Sequence, residues 1–319
     1  MADGGEGTLD AFEVAVAGTR RFQITVQGPD DREVETSWLL LPDGTGVVEL
    51  ASSSGITLLE KLQPVGAHTV GFGQAIAAAL DHGVARLLLA IGGSSSTDGG
   101  AGALAALGAV FLDADGQRLP PGNSALARLA EVDLSGLRPL PPGGAAILSD
   151  VTNPLLGSTG AAAIFGPQKG ADASQIAALE ANLERLALFL PGESEAAGAG
   201  AAGGTGFGLL AWGAQMTPGS FAVGEALGLP ALVQDADVVI TGEGRFDAQS
   251  ADGKVPSYVA GLTAQSAQAL LVAGQIAAPA QDFALAISLT ELAGGPEGAM
   301  ADPLRWLRQA GAFLAIKAG

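Results

Sequence analysis

Three short apolar runs in this sequence end in segments that each carry an acid, two of them rich in glycine, a pattern that few architectures accommodate. Arg86 to Ile91 leads into Gly92-Gly93-Ser94-Ser95-Ser96-Thr97-Asp98-Gly99-Gly100, Ala145 to Ser149 ends at Asp150-Val151-Thr152-Asn153-Pro154, and Asp237 to Thr241 precedes Gly242-Glu243-Gly244-Arg245-Phe246-Asp247. A fourth cassette, Ala2-Asp3-Gly4-Gly5-Glu6-Gly7-Thr8, stands at the start. After the Ser/Thr-rich cassette, Ala101 to Leu107 turns helical, and a strand that delivers a glycine-rich loop onto a helix start is an anion site. In the last third, Asp237 to Thr241, Leu270 to Gly274 and Phe283 to Leu289 are strand candidates separated by helical segments. That alternation implies a parallel sheet covered on both faces, with ligands at the C-terminal ends of its strands.

The earlier part has a different texture. Phe22, Ile24 and Val26 alternate, Gly28-Pro29-Asp30-Asp31 supplies a turn, and Val34, Trp38 and Leu40 return on one face, which predicts a hairpin. Gly46 to Leu50 reads as a third strand and Val70 to His82 as an alanine-rich helix. Ile176, Leu179, Leu183, Leu186 and Leu190 recur at three- and four-residue spacing, the stripe of a helix packed on a core. Gly192 to Gly208 is biased enough in composition to question its order.

With 319 residues, 48% of them apolar, the chain can bury a large core. A formal charge of −18 excludes nucleic acid and anionic membrane surfaces as partners, since both require a basic face. No apolar run approaches membrane-spanning length and no signal peptide opens the sequence, so a cytoplasmic enzyme is expected. A homo-oligomer is the one macromolecular assembly left open. There is no cysteine, and His68 and His82 alone cannot form a metal cluster, so any metal is expected to be oxygen-ligated.

Glycine allows close backbone approach to a phosphate, hydroxyls donate to it, and carboxylates hold the magnesium that neutralises it. The cassettes therefore point to a nucleotide-phosphate site, although no phosphate-loop motif is present. The only lysines are Lys61, Lys169, Lys254 and Lys317. Two of them, Lys169 and Lys254, sit beside glycine in cassette-like settings, and with Arg245 they are the expected phosphate contacts. Asp98, Asp150, Glu243 and Asp247 are candidate magnesium ligands or general bases. Ser94, Ser95, Ser96 and Thr97 lack a Gly-x-Ser-x-Gly elbow or a linked histidine, so they read as binding hydroxyls and not as nucleophiles. Gly198 to Gly203 fits a dinucleotide pattern but follows Glu193-Ser194-Glu195 and not a strand, which removes its meaning.

At these residues the chain resembles the bacterial two-domain glycerate kinases. The matching segments are MADGGEGT at 1 to 8, IGGSSSTDGGAGALAALGA at 91 to 109, SDVTNPLLGSTGAAAIFGPQKGA at 149 to 171, GAGAAGGTGFG at 198 to 208 and TGEGRFDAQSADGK at 241 to 254. The resemblance implies ATP- and Mg2+-dependent phosphorylation of D-glycerate on its 2-hydroxyl. It also implies a flavodoxin-like α/β domain carrying an inserted mixed α/β domain that resembles the restriction-enzyme fold, with the site in the cleft between them. Mapped here, residues 1–12 would be a remnant of the flavodoxin-like domain, 13–231 the insertion and 232–319 the C-terminal part of the former.

The roles expected from these readings are as follows. Asp150, Asp98 and Lys254 are catalytic; Asp3, Glu6, Ser94, Ser95, Ser96, Thr97, Thr152, Asn153, Lys169, Gly242 and Arg245 bind glycerate or ATP; Glu243 and Asp247 bind the metal. Members of the family begin several dozen residues earlier, with a strand and a lysine-bearing loop, so an upstream start is expected. A second departure is Phe72 within Val70-Gly71-Phe72-Gly73, where the family has threonine. The rival readings are a truncated, catalytically silent metabolite-binding paralogue and a kinase of another small hydroxy acid.

Overall fold

A computed structural model of the chain describes residues 4–247, 255–264 and 267–318. Two compact units divide the chain at Gly219 and Ser220. Of residues 1–12, expected to be a remnant of the other domain, the described residues 4–12 fall within the larger unit, and that unit ends before the expected boundary at 231–232.

In the larger unit, helix α1 (Thr8–Ala15) precedes the hairpin β1 (Arg20–Gln27) and β2 (Glu33–Leu40). The turn is made possible by Asp31 at φ 68°, a left-handed conformation that aspartate tolerates better than most residues. Phe22 opposes Trp38 in the register, and the two rings stack at 4.6 Å. Next come β3 (Thr45–Glu49), helix α2 (Val70–His82), β4 (Arg86–Ala90) and helix α3 (Ala101–Ala106). The pair β5 (Val110–Leu112) and β6 (Glu131–Asp133) forms a separate antiparallel ribbon. β7 (Ala145–Leu148), helix α4 (Ala173–Ala187), helix α5 (Ala201–Ala211) and β8 (Gln215–Thr217) complete the unit.

The main sheet has the order β1-β2-β3-β4-β7-β8. β1, β2 and β3 pair antiparallel, whereas β3, β4, β7 and β8 run parallel. Parallel order therefore extends well beyond the last third, where the alternation of strand and helix suggested it. The central residues of β3, β4 and β7 are apolar because both faces of the sheet are covered there, with Val47, Val48, Leu87, Leu89 and Ile147 fully buried. α4 opens on a capping box between Asp172 and Gln175 and buries Leu179, Leu183 and Leu186, the stripe that its spacing predicts. Within the Gly192 to Gly208 stretch, whose order composition put in question, Gly198 to Gly208 is buried apart from Ala202. Its glycines are spent on backbone contact: a Cβ at Gly208 would lie 2.6 Å from the Gly99 carbonyl oxygen.

The smaller unit holds a parallel sheet of order β11-β10-β9, from β9 (Val238–Phe246), β10 (Gln268–Ile276) and β11 (Leu285–Ser288). Leu270 packs on one face with Ile287, Ala310 and Leu314, while Leu271 packs on the other with Phe246 and Phe283. Helices α6 (Val255–Leu262) and α7 (Pro303–Ala318) supply Ala260 to the second cluster and Ala310 and Leu314 to the first. Here the reading of Gly242 to Asp247 as a loop is corrected, because β9 continues through Phe246. The register pairs Gly242 with Val272, Glu243 with Ala273 and Phe246 with Ile276. A Cβ at Gly242 would run into the Val272 carbonyl, so this glycine marks close strand approach and not a turn.

Candidate active site

The parallel register brings four chain segments to one end of the main sheet. Glu49 opposes Ala90, Ala90 opposes Leu148, and Leu148 opposes Thr217, so the residues that follow each strand emerge side by side. This is the C-terminal end, where parallel sheets bind ligands. The segment after β4 is the Ser/Thr-rich cassette, with Ser94 to Gly100 buried. The segment after β7 is Ser149 and Asp150.

Contacts from every side fix the cassette loop. Gly92 N–H donates to the Gly4 carbonyl at 2.9 Å, and a Cβ on Gly92 would lie 2.6 Å from the Cα of Gly5. Ser95 donates through both its N–H and its hydroxyl to the Ser54 carbonyl. Gly99 N–H donates to the Gly203 carbonyl at 3.1 Å, and Asn123 Nδ2 donates to the Thr97 carbonyl at 2.8 Å. Ala202, Gly203 and Gly204 all take positive φ before the regular part of α5, which lets the turn lie against Ser96 and Thr97. Of the four cassettes, the first, second and third thus meet at this sheet end. The fourth belongs to the smaller unit.

Lys169 is the chemical centre of this arrangement. It follows Pro167 in a single 3-10 turn and is 2% exposed, an uncommon place for an ammonium. Its Nζ donates to Ser94 Oγ at 2.9 Å and to the Ser96 carbonyl. Burial pulls the ammonium down to about 7, against an upward pull from the negative charge of Asp98. Lys169, Ser94, Gly92, Gly93 and Ser149 line a cavity of about 360 Å³ whose remaining wall is largely apolar. A Lys side chain has three N–H donors and two are used here, while Ser94, accepting from Lys169, keeps its own O–H to give. The cavity is thus equipped to hold a small anion.

Asp98, expected to be catalytic, is wholly buried and does not line the cavity. Its Oδ2 accepts from Thr69 N at 2.9 Å, Thr69 Oγ1 at 2.8 Å and Gly102 N at 3.2 Å, and its Oδ1 accepts from Gly100 N at 3.2 Å. Asp150 is half-buried, with Oδ1 accepting from Gly219 N at 2.9 Å. Ser95 is turned to the Ser54 carbonyl, whereas Ser96 Oγ and Thr97 Oγ1 are buried without a hydrogen-bond partner. Thr152 and Glu6 are exposed, and Asn153 Nδ2 donates to the Thr159 carbonyl at 2.8 Å. Asp3 and Lys254 lie outside the described residues.

In the smaller unit, Gly242, Glu243 and Arg245 line a groove of about 720 Å³, and Arg245 Nε lies 3.7 Å from Asp247 Oδ2. Among the described residues no group of three or more His, Asp or Glu side chains is placed to hold a metal. Nor is any described helix long and apolar enough to cross a membrane. Sequence reasoning missed Thr69, Asn123 and Gly203. Thr69 carried a signal, as the hydroxyl residue directly before a predicted helix; Asn123 carried none.

Comparison with known proteins gives the family of the chain. The sequence model of the Glycerate kinase family matches residues 1–316. Glycerate 2-kinase of Escherichia coli (strain K12) is 42% identical over 272 residues, covering 82% of this chain and 71% of that protein. Glycerate kinase of Bacillus subtilis (strain 168) is 43% identical over 270 residues, covering 82% and 70%. A crystal structure described as that of a glycerate kinase 2 from Salmonella typhimurium LT2 superposes with a TM-score of 0.78 at 39% identity, covering 90% of this chain and 79% of that one. A mixed α/β fold, a small anion cavity at the strand ends and matches across nearly the whole length lead to one conclusion: this chain belongs to the glycerate kinase family.

Proposed function

We propose that the chain transfers the γ-phosphoryl group of ATP to the 2-hydroxyl of D-glycerate, giving 2-phosphoglycerate and ADP. The observation that carries the reading is Lys169, a buried ammonium with a donor to spare in a cavity sized for a small acid. In this reading Lys169 and the Ser94 hydroxyl take the carboxylate of glycerate, while Ser96, Thr97, Thr152 and Asn153, outside the cavity wall, keep only the ligand-binding role that the sequence pattern suggests for them. Asp150 closes β7 at the same sheet end and accepts the proton that the attacking hydroxyl gives up. Positioning of acceptor and donor supplies most of the acceleration in phosphoryl transfer, which suits a site built from rigid strand ends. The relative named a glycerate 2-kinase supports the choice of hydroxyl.

The γ-phosphate carries its own neutralising cation. Mg2+ keeps several waters and takes only one or two protein carboxylates besides the nucleotide's phosphates. Glu243 and Asp247 are the carboxylates assigned to it, and Gly242, Arg245, Lys254, Asp3 and Glu6 are assigned to the nucleotide. When bound, the ion neutralises charge on the transferring group. The test is ADP release with D-glycerate and MgATP, coupled to a reporter enzyme, with phosphorus NMR of the product. Release no faster than in the acceptor-free control would overturn the reading, and a 3-phosphoglycerate signal would overturn the choice of hydroxyl.

A further inference from the structure

Lys169 is buried beside two neutral oxygens, an expensive place for a charge. Among the described residues, no other residue lining its cavity is charged. Among the described residues, the negative charge that acts on it belongs to Asp98, which does not line the cavity and whose carboxylate accepts four hydrogen bonds. It ties together the starts of two helices, taking Thr69 N before α2 and Gly102 N in the first turn of α3. Thr69 Oγ1 donates to Asp98 and accepts from Ala103 N at 2.9 Å, so one hydroxyl closes the junction. The positive ends of both helices favour an anion there. Gly102 leaves room for it, because a Cβ would lie 2.9 Å from Asp98 Oδ2.

We propose that Asp98 and Thr69 form a positioning pair for the acceptor acid, fixing Ser94 to Ser96 in place and supplying from behind the negative charge that balances the Lys169 ammonium. The pair touches no substrate. It rests on the phosphotransfer reading only for the identity of the acid, since the balance of charge around Lys169 is a property of the fold.

Two consequences distinguish this role from simple scaffolding. Because the carboxylate of the acceptor needs a protonated Lys169, its KM rises as pH increases past about 7, while the KM for ATP does not follow. Removing the Asp98 charge withdraws the pull that opposes burial, so in Asp98→Asn the rise begins at lower pH.

The test uses the full chain, with wild type, Asp98→Asn, Thr69→Val and Thr69→Ser confirmed as folded by circular dichroism. Glycerate and ATP KM values are measured from about pH 6 to about pH 9, spanning the Lys169 transition. Asp98→Asn is expected to raise glycerate KM about fivefold at about pH 7, approaching tenfold above about pH 8, and to move its onset down by about one pH unit. Its kcat and ATP KM should hold within about threefold. Thr69→Val is expected to follow in part and Thr69→Ser to behave as wild type. The second readout needs no activity: 13C NMR of lysine Cε, assigned by loss of one signal in Lys169→Met, is tractable with four lysines in the chain. The Lys169 signal should titrate at lower pH in Asp98→Asn, and in Thr69→Val if the former does not fold. A folded variant whose Lys169 titration and glycerate pH profile match wild type overturns the pair, as does a KM rise equal at every pH. If wild type turns over no glycerate yet Lys169 shifts as expected, the substrate assignment fails and the pair stands.

Discussion

Lys169 ties local stability to protonation. In the unfolded chain its ammonium holds its proton up to about 10.5, whereas burial in the fold brings the value to about 7. Between those limits the unfolded state binds more protons than the folded one, so this residue makes the fold more stable as pH rises. The contribution is complete above about 10.5 and is lost as pH falls through about 7. Between about pH 7 and about pH 9 the gain is on the order of 2 kcal/mol. Urea unfolding in a Trp306→Phe background, where Trp38 and Trp212 report on the larger unit, should show that slope, and Lys169→Met should flatten it. Under the proposed role of Lys169, the same substitution removes a charged hydrogen bond to the acceptor worth about 1.5–3 kcal/mol, so glycerate KM should rise roughly 10- to 150-fold. A steady-state titration with glycerate checks this, and an unchanged KM would move the acid elsewhere.

The cassette loop and the turn before α5 act as one element, because neither can keep its path without the other. Gly203 sits at φ 68°, and a Cβ there would strike the Ser96 carbonyl and lie 2.7 Å from Lys169 Nζ. Gly83, after α2, has φ 85° with nothing within 4 Å, so it isolates the cost of backbone strain alone. Gly83→Ala should cost about 1–2 kcal/mol, and Gly203→Ala should cost clearly more, by thermal unfolding, with loss of glycerate turnover in the latter only.

This element also marks where the sequence was legible and where it was not. Apolar spacing disclosed β1, β2 and the buried stripe of α4, alanine content disclosed α2, and a short apolar run disclosed β4, because each of these signals is local. The glycines of the cassettes announced close backbone contact but not its partner. Thr69 and Asp98 are 29 positions apart and meet only through the packing of α2 on α3. The Gly203 carbonyl receives the Gly99 N–H from a segment whose composition suggested disorder. At Gly242 and Gly244 local propensity argued for a loop, and pairing with β10 overrode it.

At the scale of the whole molecule, an apolar edge opposes a strongly acidic surface. β9 pairs only with β10 among the described residues, and its Ile240 is 58% exposed beside a groove lined by Met300, Leu307 and Leu314. An uncovered strand edge next to an apolar groove is a template for self-association. A formal charge of −18 works against it by keeping copies apart. The balance therefore depends on screening: at about 1 M salt the Debye length falls to about 3 Å, leaving the edge to dominate. Static light scattering of the full chain should increase with salt, and Ile240→Lys should suppress the increase. That substitution lowers the net negative charge, so charge alone would make the variant associate more readily, not less. Suppression would assign the association to the β9 edge; greater scattering in Ile240→Lys would assign it to charge.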